Sequence, residues 1–125
     1  MRVEAPVYLT EDEEKVVEAI KNIFPKFNIS STQYEDLTIL HGEGSGRELL
    51  EKLRMVIRSR RIRAAARSFM MQRIDDGILV FLLNKQAASV GKVSFCENAQ
   101  ETPLGAIKVT IKGEGLRDLV EWLTE

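Results

Sequence analysis

What this chain lacks narrows its chemistry. It has one cysteine, Cys96, and one histidine, His41. A single cysteine permits no internal disulfide, which fits a reducing compartment. A zinc site built from His and Cys needs three or four such ligands, and these two residues cannot supply it. A Cys–His nucleophile would require His41 and Cys96 to meet, although both are expected on strands. It would also need an orienting third group that nothing in the sequence marks. Carboxylates are plentiful, but no pair stands out as a general acid and base. The chain is therefore expected to be no enzyme, with no metal and no cofactor. Aromatics make up 6% of it. Only Tyr8, Tyr34 and Trp122 offer a polar edge, so no base-stacking platform is patterned. No apolar run approaches the roughly 20 residues of a membrane helix, and the start shows no signal-peptide pattern. These absences point to a cytoplasmic protein.

The sharpest absence is local. Between Lys52 and Ile74 there is no acid, while Lys52, Arg54, Arg58, Arg60, Arg61, Arg63, Arg67 and Arg73 all fall there. The whole chain has a formal charge of −1 and a pI near 5.9. Nucleic acid could therefore be bound only through a local patch.

The 125 residues, 44% of them hydrophobic, suit one domain with a substantial core. Arg2 to Leu9 reads as a strand, with Pro6 marking an edge or a bulge. Thr10 and Glu13 have capping-box spacing, and Val16, Val17, Ile20, Ile23 and Phe24 recur as one helical face that Pro25 ends. The acids Glu11 to Glu14 then complement the helix dipole and need no metal to explain them. Phe27–Thr32 and Leu37–His41 read as strands around a turn at Glu35-Asp36.

Gly42-Glu43-Gly44-Ser45-Gly46 follows. It lacks the Gly-Lys-Ser/Thr ending of a phosphate loop and the spacing of a dinucleotide fingerprint. It reads as a connection, with Ser45 and Glu48 spaced as a capping box. The helical region from Arg47 to Met71 has two apolar faces that do not align at 100° per residue: Leu49, Leu50, Leu53, Val56 and Ile57, then Ile62, Ala65, Ala66, Phe69 and Met70. That mismatch predicts a break near Arg58–Arg60. In the second part Arg60, Arg63 and Arg67 follow i, i+3, i+7 spacing with Arg61 beside them. Asp75-Asp76-Gly77 is a turn signal. Ile78–Leu83, Lys92–Cys96 and Gly105–Lys112 read as strands, with a possible single helical turn at Gln86-Ala87-Ala88. Leu116, Leu119, Val120 and Leu123 face inward on a last helix.

Several stretches resemble an uncharacterised archaeal protein family. These are Leu83-Asn84-Lys85-Gln86-Ala87-Ala88, Val90-Gly91-Lys92-Val93 with Phe95, and Val3-Glu4-Ala5-Pro6-Val7-Tyr8. Arg60-Arg61-Ile62 with Ala65-Ala66-Arg67, and Pro103-Leu104-Gly105 with Ile107, add to the match. The resemblance spans nearly the full length. Members of that family are classed as RNA-binding without an established function, and their fold is similar to that of the large-subunit ribosomal protein that binds 5S RNA. The resemblance implies an α+β fold and makes RNA the first partner to test. It supplies no catalytic residue.

The expectation is a single α+β domain over residues 1–125, in the order β-α-β-β-α-α-β-β-β-α. Helices would cover one side of a mixed, mostly antiparallel sheet. Two readings of the arginines stay open. They could be a solvated face paired with the chain's own acids, Glu11 to Glu14, Glu48 and Glu51. They could instead bind structured RNA, because arginine's planar fork fits phosphate bidentately. The expected surface is Arg54, Arg58, Arg60, Arg61, Arg63 and Arg67, extended by Lys85 and Lys92. Asn84 and Gln86 beside them could bond bases or sugar hydroxyls, but capping and ordering a tight connection between two strands explains this stretch better. The alternative is an assembly module, a homo-oligomer included, whose arginine face meets acidic partner surfaces.

Overall fold

The computed structural model describes residues 1–102 and 104–125. Its elements are β1 (Arg2–Val7), α1 (Glu13–Ile23), β2 (Ser30–Tyr34), β3 (Leu37–Glu43), α2 (Glu51–Ser59), α3 (Arg63–Met71), β4 (Ile74–Asp75), β5 (Ile78–Asn84), α4 (Lys85–Ser89), β6 (Phe95–Cys96), β7 (Ala106–Lys112) and α5 (Leu116–Leu123). A 3₁₀ turn, Arg47–Leu50, leads into α2. The expected order is present, with the two-residue β4 and the short α4 added to it.

The strands form one seven-stranded sheet in the order β2-β3-β1-β7-β5-β4, with β6 also beside β5. Every pairing among the described residues is antiparallel. Alternation along the strands sends one set of side chains under the helices. Val3, Ala5, Val7, Leu40, Leu79, Phe81, Leu83, Ile107, Val109 and Ile111 are all buried there. The helices bring Val16, Ile20, Ile23, Leu53, Ile57, Met70, Leu119 and Val120 onto them in one core. Each such side chain contributes about 1.5–3 kcal/mol through burial. The other face of the sheet carries half-buried Ile39, His41, Leu82 and Thr110 and exposed Lys108.

Three local expectations are corrected. Asp12, not Thr10, caps α1, and its carboxylate accepts from the Glu14 amide at 3.0 Å. The helix starts late because Glu11 turns back instead, accepting from the Tyr8 amide at 3.1 Å. Ser45 caps nothing. Gly46, at φ +101°, occupies the cap position without a side-chain bond, and the entry is a 3₁₀ turn. The second strand begins at Ser30 rather than Phe27. Phe27 is buried edge-on to Phe24, with centroids 5.8 Å apart, and so belongs to the core beneath the end of α1.

Candidate nucleic-acid interface

The arginine run straddles a corner. α2 ends at Ser59 and α3 begins at Arg63. The Arg61 amide donates to the Arg58 carbonyl at 3.2 Å, and the Ile62 amide to the Ile57 carbonyl at 3.3 Å. This pair of bonds is a Schellman motif, which requires a left-handed residue after the cap. Arg61 is that residue, at φ +57°. The same motif closes α4, where the Gly91 amide reaches the Ala88 carbonyl at 3.0 Å and the Lys92 amide the Ala87 carbonyl at 2.9 Å. There the left-handed position is held by Gly91, at φ +74°, the residue for which it costs least. One chain thus builds one motif twice, once with glycine and once with arginine.

The break changes the expected arginine geometry. Arg60 is the C-cap of α2 and Arg63 opens α3. Arg60, Arg63 and Arg67 therefore do not share one helical face, because the left-handed turn at Arg61 reorients the chain between them. Ala65, expected in the core, is exposed, and Ala66 and Met70 carry the buried side of α3.

The arginines divide sharply by partner. Arg54 donates from Nε to the Trp122 carbonyl at 2.9 Å and pairs with the Glu125 carboxylate at 3.1 Å. Its guanidinium also lies 5.2 Å from the centre of the Trp122 ring, and that of Arg47 lies 5.4 Å from it. Arg58 donates to the Glu125 carbonyl at 3.2 Å. These cations satisfy carbonyls at the negative end of α5. Arg67 pairs with Glu121 at 3.2 Å. Arg73 donates to the Phe69 carbonyl at 3.0 Å and stacks 3.4 Å from the centre of the Phe69 ring. Among the described residues, Arg60, Arg61 and Arg63 have no ion pair or side-chain hydrogen bond, and all three are exposed.

The neutralising acids are therefore those of α5 and the residues after it. Of the acids expected in that role, Glu11 pairs with Lys85 and Glu51 with Lys26 at 3.4 Å, and none pairs with an arginine of this run among the described residues. Arg61, Arg63, Ala64, Arg67 and Thr124 line a shallow cleft of about 600 Å³ where the corner meets the end of α5. Ala64 and Ala65, both exposed, keep bulk low beside it. α3 has no side-chain N-cap and no acid in its first turn, so the positive pole of the helix dipole adds to the field of the arginines.

Lys85 does not extend this surface. Its side chain is 5% exposed, and its ammonium donates to the Pro6 carbonyl at 2.7 Å and to both Glu11 carboxylate oxygens at 2.9 and 3.1 Å. All of its donors are spent inside the fold. Burial pushes its pKa down, opposed by the hydrogen bond and charge of Glu11. Asn84 caps α4 by accepting from the Ala87 amide at 2.9 Å. Asn22 donates to the Ala88 and Ser89 carbonyls at the far end of that helix, at 3.0 and 3.3 Å. The Asn84–Lys92 stretch is a structural clamp, and nothing in the sequence marked Glu11 as its partner. Lys92 is exposed beyond α4 and does not line the arginine cleft.

His41 and Cys96 do not meet. His41 on β3 bonds Thr32 across β2 at 2.9 Å, and Cys96 on β6 is buried beside Leu82. The strand order puts four strand spacings between them, or about 19 Å. Residues 43–46 are tied to the start of the sheet, because Met1 and Gly44 exchange backbone bonds of 2.9 and 3.1 Å. The cleft beside them is walled by Met1, Arg2, Glu43, Gly44, Thr110 and Lys112, without His41.

The fold and the charge pattern define a small α+β protein with an open antiparallel sheet and a basic corner. A family model described as RNA binding matches residues 1–113. The chain belongs to that family, the UPF0201 proteins of archaea. It is 39% identical over 122 residues to a UPF0201 protein of Sulfurisphaera tokodaii, covering 98% of this chain and 84% of the relative. It is 44% identical to one of Pyrobaculum aerophilum, covering 98% and 88%. The crystal structure of a UPF0201 protein from Methanococcus jannaschii superposes with a TM-score of 0.89 at 31% identity, covering 99% of this chain and 98% of that one.

Proposed function

We propose that this chain binds structured RNA through the α2–α3 corner, with Arg60, Arg61 and Arg63 meeting phosphates and Arg67 at the wall of the cleft. One observation carries the reading: these three arginines stand together in solvent, while the arginines around them are bonded into the fold. Free guanidinium forks match phosphate oxygens bidentately and leave little for lysine to do. The left-handed Arg61 supports it, since strain of this kind gathers at functional positions. The family model's description is consistent with RNA as the ligand. With few polar-edged aromatics to stack on, the surface suits backbone and shape recognition more than splayed bases. No step of chemistry is assigned to it.

The test is binding of a hairpin RNA, followed by anisotropy over a salt series. Contact with three or four phosphates gives a log–log slope of roughly −3 to −4. The Arg60→Gln, Arg61→Gln, Arg63→Gln variant should flatten that slope and keep the native fold. Unchanged binding by this folded variant would remove the site from the corner. A self-association that the same substitutions abolish would assign the corner to assembly instead.

A further inference from the structure

β2 borders the sheet. One flank pairs with β3 from Ser30 opposite His41 to Tyr34 opposite Leu37, and among the described residues no strand lies on the other. All five residues, Ser-Ser-Thr-Gln-Tyr, are exposed. An edge like this offers a row of unpaired amides and carbonyls, and proteins that stay apart protect it with charge, proline, a bulge or brevity. β2 has no charge and no proline, and its five-residue register against β3 runs without a bulge. The opposite border is different, being made only of the two-residue strands β4 and β6. The protection used there is missing at β2.

We propose that two copies of this chain join β2 to β2 in antiparallel register, so that their sheets run on as one. The occupant is a second copy because the edge is complementary to itself. A two-fold contact sets each residue against its own mirror position. A charged edge would oppose like charges there, and a charged partner would find nothing on β2 to match. Centred on Thr32, the register puts Thr32 opposite Thr32, Ser31 opposite Gln33, and Ser30 opposite Tyr34. All are uncharged, and threonine–threonine pairs are favourable cross-strand neighbours. Ser30, Thr32 and Tyr34 stand opposite His41, Ile39 and Leu37, so they share the helix-free face. The ring of Tyr34, 60% exposed, would be covered by Ser30 of the second copy. The strand is short, so the contact belongs among the small interfaces, and the dimer is expected to be weak and concentration-dependent.

Sedimentation equilibrium of the full chain, from micromolar to millimolar, should show a monomer–dimer equilibrium. Thr32→Lys and Thr32→Glu each place like charges across the two-fold axis. Each alone should weaken the dimer by up to about fivefold. Mixed, the two variants should recover a heterodimer, which also shows that neither is misfolded. A wild-type chain that stays monomeric throughout, or a Thr32→Lys variant that dimerises as well as wild type, would overturn the proposal. Dimerisation lost in Arg60→Gln, Arg61→Gln, Arg63→Gln but kept in Thr32→Lys would overturn it as well.

Discussion

The Lys85 ammonium lies 2.9 Å from the Glu11 carboxylate, and the two side chains are only 5% and 11% exposed. The pair ties the β1–α1 junction to the start of α4, with the Pro6 carbonyl as a third partner. Removing one member of such a pair strands the other. Glu11→Gln or Lys85→Met should each cost roughly 3–5 kcal/mol, and the double change to methionine should regain most of the loss. The pH dependence has a definite sign. Burial holds the folded-state pKa of Lys85 below the ordinary lysine value. Between those two values the unfolded chain binds more protons, so stability should rise with pH across that window and be flat below it. Urea melts over an alkaline series check this, and Lys85→Met should lack the rise.

On the proposed reading, Arg61 should separate stability from binding. A left-handed arginine costs about 1 kcal/mol relative to glycine. Arg61→Gly should therefore raise stability by about that amount while reducing the salt slope of RNA binding by about 1. Gly91→Ala is the control. The added methyl group meets nothing within 4 Å, so its cost, about 1 kcal/mol, is purely conformational. Thermal melts and anisotropy on the same samples decide the matter. An Arg61→Gly protein that is less stable would show that the side chain supports the fold.

If RNA binds at the corner as proposed, Glu121 would compete with it for Arg67. Their ion pair is half exposed, at 53% and 54%, and pairs of this kind contribute under about 1 kcal/mol. Glu121→Gln should leave the melting temperature nearly unchanged, tighten RNA binding several-fold at low salt, and steepen the salt slope. Weaker binding by this variant would mean that Glu121 orients Arg67 rather than competing for it.

Cys96 should be silent to thiol reagents. It is 3% exposed, and burial pushes its thiol pKa up, with the nearby charge of Glu101 adding to the effect. The thiolate is the reactive form. Alkylation of the native protein should therefore be slow and should accelerate with urea in step with unfolding. Rapid labelling in native buffer would contradict the packing around β6.

The elements that could be read from sequence are those with strong local periodicity. Ile107, Val109 and Ile111 alternate, α1 and α5 each show one apolar stripe, and the mismatch of apolar faces in the arginine region foretold a break. The register of β2 was not legible, because Phe27 looks like a strand residue until the end of α1 folds it into the core. The arginine excess was visible as charge, but its division was not. Arg54 meets Glu125 across 71 positions and Arg67 meets Glu121 across 54, and no local rule joins residues so far apart. Lys85 misled for the same reason, since its partner is 74 positions away.

The place of β1 in the sheet has a kinetic consequence. Its residues 2–4 lie against residues 108–110 of β7, more than a hundred positions away, whereas β2–β3 and β4–β5 are local hairpins. Hairpins form in microseconds, but closing a loop of that span costs entropy before any contact repays it. The β1–β7 seam should be the slow step of folding. A chain emerging from the ribosome must carry β1 unpaired on that side until β7 is made, so the two halves of this sheet can zip together only after β7 has left the ribosome.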